Sequence, residues 1–177
     1  MKDEELLIQE AKNGEQGAFG ELYDHYMPKI YRFVFFKIGV KHEAEDITHQ
    51  VFSHAWENIK KYESRGFSIS SWFYRIASNA VIDYYRTYKN NLQIENVSEE
   101  KFANEPTLEK DFDIGLNIER VQKAIRLLEG DQQNVIIMKF VDELSNKEIA
   151  EVLEKTEGAI RVIQHRALKQ LKIFLNE

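Results

Sequence analysis

The sequence has no cysteine and only two prolines among its 177 residues. Without cysteine there are no disulfides and no thiolate metal sites, which excludes a disulfide-stapled secreted domain and a cysteine-ligated zinc module. With proline confined to Pro28 and Pro106, helix is permitted almost everywhere, although Pro28 is expected to kink or break the helix that contains it. No apolar run approaches the roughly 20 residues that span a bilayer; the candidate around Phe33 to Phe36 stops at Lys37. The opening Met1-Lys2-Asp3-Glu4-Glu5 is acidic, not the basic-then-apolar pattern of a secretion signal. These absences lead us to expect a cytoplasmic chain with no membrane insertion. A phosphate-binding glycine loop, a nucleophile–base pair and a carboxylate dyad are also missing, so no enzyme and no cofactor are expected. The five histidines, His25, His42, His49, His54 and His165, lack tight ligand spacing, and no metal site is expected.

What is present is charge in an uneven pattern. The net charge is −6, and the excess is concentrated in one stretch: Leu92 to Glu119 holds eight acidic and two basic residues. Lys155 to Glu177, by contrast, holds five basic and two acidic residues. The whole-chain charge predicts weak binding of the isolated chain to DNA, while saying little about local partners.

Apolar residues, 43% of the chain, recur every three to four positions, with no sustained β-type alternation. Phe19, Leu22, Tyr23, Tyr26, Ile30, Phe33 and Val34 trace one stripe. Ala44, Ile47, Val51, Phe52, Ala55, Trp56 and Ile59 trace a second, and Trp72, Phe73, Ile76, Ala77, Ala80, Val81 and Tyr84 a third. With a short helix from Glu4 to Asn13 these predict an N-terminal helical bundle over 1–90. Residues 91–117, rich in Asn and Glu and carrying Pro106, read as a flexible acidic linker. Helical periodicity resumes at Ile118 with Val121, Ile125 and Leu128, and Asp131 is expected to cap the next helix, through Val135 and Met138. The predicted fold class is all-α: an N-terminal bundle and a C-terminal helix-turn-helix domain, 118–177, joined by that linker.

The sharpest local signal is Ser145-Asn146-Lys147-Glu148, a capping box that opens a helix carrying Ile149, Ala150, Val152 and Leu153. Lys155 and Thr156 form the turn. Thr156 caps a second helix that begins at Glu157 and carries Ile160, Ile163, Ala167, Leu171 and Phe174. The small Ala150 allows the two helices to cross closely, which is helix-turn-helix spacing. On the second helix Arg161 and His165 face away from the core, with Val162 and Arg166 beside them; Arg can hold guanine bidentately. Lys169 lies further along, where phosphate is the expected partner. The plainer alternative is a solvated face on an ordinary helical hairpin.

Two further blocks precede this one in order. The first is Ala44-Glu45-Asp46-Ile47-Thr48-His49-Gln50-Val51-Phe52, ending in Ala55-Trp56. The second is Trp72-Phe73-Tyr74-Arg75-Ile76-Ala77-Ser78-Asn79, followed by Asp83. Together with Leu144-Ser145 through Arg166-Ala167-Leu168, they resemble RNA polymerase sigma factors of the sigma-70 family, extracytoplasmic-function (ECF) subgroup. The resemblance spans nearly the whole chain. The sequence departs from the usual pattern at Glu154, where family members often have glycine, and at Ile163 and Gln164 in the second helix of the motif.

The resemblance implies a promoter-specificity subunit that binds core polymerase and promoter DNA, with no catalytic residue. It implies docking on the β′ clamp helices through the helix holding Asp46, His49, Gln50, Phe52 and Ser53, a further contact with the β flap, and an anti-sigma factor as a partner. It also implies reading and melting of the downstream (−10) element by the next loop and helix, through Arg65, Phe67, Tyr74, Arg75, Asn79, Asp83 and Arg86. The upstream (−35) element falls to Lys155, Thr156, Glu157, Arg161, Val162, His165, Arg166 and Lys169. Physical chemistry is compatible: Asp46 and Gln50 are four apart and can meet one basic helix, Phe67 or Tyr74 can stack on an unpaired base, and Asn79 can bond a base edge. Trp72 and Phe73 read as core. The acidic linker suits the polymerase's basic RNA path, or is a simple tether. Two other functions share these features: a free-standing helix-turn-helix regulator that binds operators as a dimer, and a sigma-like decoy.

Overall fold

The computed structural model describes residues 4–64, 67–95 and 112–176. Helices dominate these segments. In chain order they are α1 (Glu4–Lys12), α2 (Gln16–Ile38), α3 (Lys41–Asn58), α4 (Ile69–Glu95), α5 (Phe112–Arg126), α6 (Gly130–Ile136), α7 (Asn146–Leu153) and α8 (Glu157–Asn176). A 3₁₀ turn, Ile59–Lys61, ends α3, and a π-helical turn, Ile137–Val141, prolongs α6. Helix α4 runs on to Glu95 and α5 begins at Phe112, so helix enters both ends of the stretch read as linker; its centre, 96–111, lies outside the described residues.

Helix α2 is the axis of the N-terminal half, packed by α1, α3 and α4. It passes through Pro28 without a break. Pro28 is exposed, and its missing N–H is outweighed by the row of buried side chains around it: Leu22, Tyr26, Ile30, Phe33 and Val34. Aromatic rings fill the centre of this bundle. Phe52 sits 4.8 Å from Tyr23 and 5.1 Å from Phe73, and Phe73 sits 5.2 Å from Tyr26. Edge and tilted geometries of this kind add to the stabilisation from burial.

In the C-terminal half α8 packs on α5, α6 and α7. The start of α6 differs from expectation. Asp131 lies inside the first turn rather than capping it, and pairs with Lys155 at 3.2 Å; Glu129 holds the cap position with no side-chain hydrogen bond. A carboxylate inside a first turn still favours the helix through its dipole.

The two halves touch. Helix α2 meets α5 and the π turn, and α4 meets α7. The last carbonyls of α2, which no helix can satisfy internally, are taken largely by side chains: Gln122 donates to Phe35 O at 3.0 Å, Arg126 to Ile38 O at 3.2 Å and Tyr85 to Lys37 O at 2.6 Å. Gly39 ends the helix at φ 79°, and a Cβ there would collide with the Arg126 guanidinium. Lys37 is buried and donates to Asn134 Oδ1 at 2.6 Å.

Burial pushes the Lys37 amine down to about 8 from 10.5. Between those values the undocked chain binds more protons than the docked one, so docking gains stability as pH rises through this window. Urea titrations of the full chain from pH 7 to 9.5 should show a gain of at most about 2 kcal/mol from this group. Lys37→Met should flatten the profile. A flat wild-type profile would show that Lys37 is hydrated.

Candidate functional site

The helix-turn-helix is built by its caps. The Ser145 hydroxyl accepts from the Glu148 amide at 3.2 Å, and the Glu148 carboxylate accepts from the Ser145 amide at 2.7 Å. Burial opposes the Glu148 carboxylate, but the Ser145 bonds outweigh it and hold its pKa below the usual range. Thr156 Oγ1 accepts from the Ala159 amide at 3.2 Å and starts α8. Between the helices Glu154 adopts φ 53°, ψ 41°, a left-handed conformation without the freedom of glycine. Ile149, Ala150, Ile160 and Ala167 close the angle between the helices.

The face of α8 left to solvent carries Arg161, Val162, His165, Arg166 and Lys169. Val162 is 50% exposed, an apolar group held in water between cations. Among the described residues Arg161 is tethered only by Glu157, at 3.4 Å. A basic face with one apolar contact at the front of the second helix has what major-groove reading requires.

A second candidate surface lies between α3 and α4. A groove of about 730 Å³ is lined by Glu43, Asp46, Gln50 and His54 from α3, and by Asn79, Asp83, Tyr84 and Thr87 from α4, over a floor of Ile47, Val51, Ile76 and Ala80. It carries an acidic rim on the α3 side, with Glu43 and Asp46. Burial pushes the Tyr84 hydroxyl up to about 12, with Glu43 adding to the effect, so it stays protonated and able to donate.

Comparison with known proteins joins these surfaces. The Sigma-70 region 2 family matches residues 22–90, which hold the groove, and the Sigma-70 region 4 family matches 118–171, which hold the helix-turn-helix. ECF RNA polymerase sigma factor SigW of Bacillus subtilis is 34% identical over 180 residues, covering 96% of this chain and 95% of SigW. The chain is an ECF sigma factor of the sigma-70 family. ECF RNA polymerase sigma factor BldN of Streptomyces coelicolor is 33% identical over 171 residues, 96% of this chain and 64% of BldN. The fold matches that of CnrH, solved in complex with the cytosolic domain of CnrY, with a TM-score of 0.74 at 22% identity, over 97% of this chain and 96% of CnrH.

The expected site residues of this sigma factor divide into three groups. Asp46, His49, Gln50 and Ser53 are exposed along α3. Phe52 is not: it is 2% exposed and belongs to the aromatic core, so the expectation that it contacts polymerase is corrected. The buried arc of α3 spans two adjacent rows, Ala44–Thr48–Phe52 and Ile47–Val51–Ala55.

On α4, Asn79, Asp83 and Arg86 are exposed, and Arg86 pairs with Asp83 at 2.9 Å. Phe67, 40% exposed, has the Arg75 guanidinium 5.3 Å from its ring centre. Arg65 lies outside the described residues. Tyr74 is completely buried with its hydroxyl beside the Asp142 carboxylate of the C-terminal half, so it is not open to a base in this arrangement. In the third group Lys155, Thr156 and Glu157 are exposed at the turn and the start of α8. Groove residues that sequence reasoning passed over are Glu43, His54, Tyr84 and Thr87. Their signal was available as four-residue spacing on facing helices: Glu43 to Ile47 and Asp46 to Gln50 to His54 on α3, and Ala80 to Tyr84 and Asn79 to Asp83 to Thr87 on α4.

Proposed function

We propose that this sigma factor directs core RNA polymerase to promoters by reading the upstream element with α8 and the downstream element with α4, docking through the exposed face of α3. The observation that carries the reading is the front of α8, where Arg161, Val162, His165, Arg166 and Lys169 stand in solvent while Ile160 and Ala167 lock the helix from behind. Residues 1–90 and 118–177 act as separate units joined through 91–117. The protein works in the cytoplasm as an initiation factor, not an enzyme. Melting comes from preferential binding of unstacked bases, with the chemistry left to polymerase. Its partners are core polymerase (β′ clamp helices and β flap), promoter DNA and an anti-sigma factor. A free-standing regulator or a decoy would not need the polymerase-docking and promoter-reading surfaces together.

The test is run-off transcription by core polymerase plus the purified chain on a genomic promoter library. Start sites that depend on the chain are expected, and their absence would sink the proposal. Within that assay Arg161→Ala should weaken upstream-element recognition. If Arg161 holds a base, preference at one base pair should fall by roughly 1–3 kcal/mol. If it holds phosphate, all sequences should weaken alike and the salt slope drop by about one. Asn79→Ala should act on the downstream element and be rescued on a pre-melted template to the extent that its defect is in opening. Unchanged preference and unchanged salt slope for Arg161→Ala would displace the recognition helix from α8.

A further inference from the structure

The contact between the halves falls on the surface assigned to the downstream element. Ser71 and Arg75 stand four apart near the start of α4. Each meets a carboxylate of the helix-turn-helix domain. Ser71 Oγ donates to Glu151 Oε2 at 3.2 Å, and Arg75 Nη1 donates to Glu154 Oε1 at 2.8 Å. The Arg75 guanidinium also lies over the Phe67 ring, so the same contact occupies the aromatic face offered to a base. A serine hydroxyl and a guanidinium near a helix N-terminus are the donors that hold strand phosphates. Two carboxylates three apart, Glu151 on α7 and Glu154 at its C-cap, meet them with the sign of charge that phosphates carry.

Behind this pair the interface is fastened by polar groups. Arg32 holds the buried Asp142 carboxylate at 3.2 Å, with Tyr74 on its other side. Lys37 and Asn134 form a second buried pair. An interface made of such groups is specific in geometry and modest in net strength, because desolvation cancels much of the attraction. That suits a contact that must form and release.

We propose that the free sigma factor is closed by its own helix-turn-helix domain, Glu151 of α7 and Glu154 of the turn that follows it standing in for DNA phosphates on Ser71 and Arg75, and that it must open before α4 can take promoter DNA. The proposal rests on the assignment of α4 to the downstream element. It predicts weak DNA binding by the isolated chain from a local contact, beside the expectation from net charge.

The absence of native cysteine makes the test clean. In the full chain, Ser71→Cys with Glu151→Cys would be joined by a short cleavable thiol cross-linker. Run-off transcription with core polymerase should fall to the uncross-linked fraction and return on cleavage. Separately, Glu151→Gln with Glu154→Gln should bind a short fluorescent single-stranded DNA of randomised sequence about threefold to tenfold more tightly at low salt, the scale of exposed ion pairs removed. Adding Arg75→Ala to that variant should abolish the gain. Closure is overturned if the cross-linked chain transcribes normally, or if the double glutamine variant binds DNA no better. If instead the glutamine variant gains affinity that Arg75→Ala leaves untouched, the assignment of α4 fails and closure on that face fails with it. If Arg75→Ala impairs transcription by the holoenzyme while the glutamine variant gains nothing, the assignment stands and closure alone falls.

Discussion

Phe52→Ala should lower the stability of the N-terminal bundle by about 3–5 kcal/mol, the usual result of emptying a packed phenylalanine site, and lower its melting midpoint by at least about 10 °C. The ring is 2% exposed and wedged between Tyr23 and Phe73, leaving no neighbour free to collapse into the space. Affinity for core polymerase, measured well below that midpoint, should stay within about threefold of wild type, a difference of under 1 kcal/mol. The opposite pattern, near-normal melting with lost affinity, would return Phe52 to the docking surface.

Asp46→Arg should do the reverse. Asp46 is exposed on α3, three residues from Glu43. Replacing it removes a like-charge neighbour from the helix, so stability should change by no more than about 0.5 kcal/mol. Against a basic partner helix the new guanidinium meets like charge, which costs several kcal/mol. Affinity for core polymerase should fall by about 100-fold or more, on the scale of 1.4 kcal/mol per tenfold, with the far-ultraviolet circular dichroism spectrum unchanged. Affinity that survives this substitution would remove α3 from the polymerase interface.

These two substitutions mark where the sequence was legible. The stripe through Ala44, Ile47, Val51 and Ala55 located α3 and its polar face, because one turn of helix repeats its surroundings. It could not set the width of the buried arc, since that depends on how many partners surround the helix. Helix α3 lies against both α2 and α4, and their combined reach takes Phe52 inward. The helix-turn-helix was legible to the residue, because Ser145, Glu148 and Thr156 act on amides three positions away. Tyr74 and Lys37 were not. Their surroundings come from Asp142 and Asn134, far along the chain, and nothing local to either residue signals such a partner. Pro28 misled because its local cost is real, while the packing that outweighs it comes from three other helices.

Among the described residues, the buried side chains of the N-terminal bundle end at Val81, and α4 spans Ile69–Glu95. Among the described residues, the carboxylates that meet Ser71 and Arg75, those of Glu151 and Glu154, come later in the chain. During synthesis, at about 5–20 residues per second, several seconds separate emergence of the bundle from emergence of the helix that shields it. A nascent chain therefore passes through an interval in which α4 is folded and uncovered. The proposed closure therefore cannot act on that younger form, in which Glu151 and Glu154 have yet to be made.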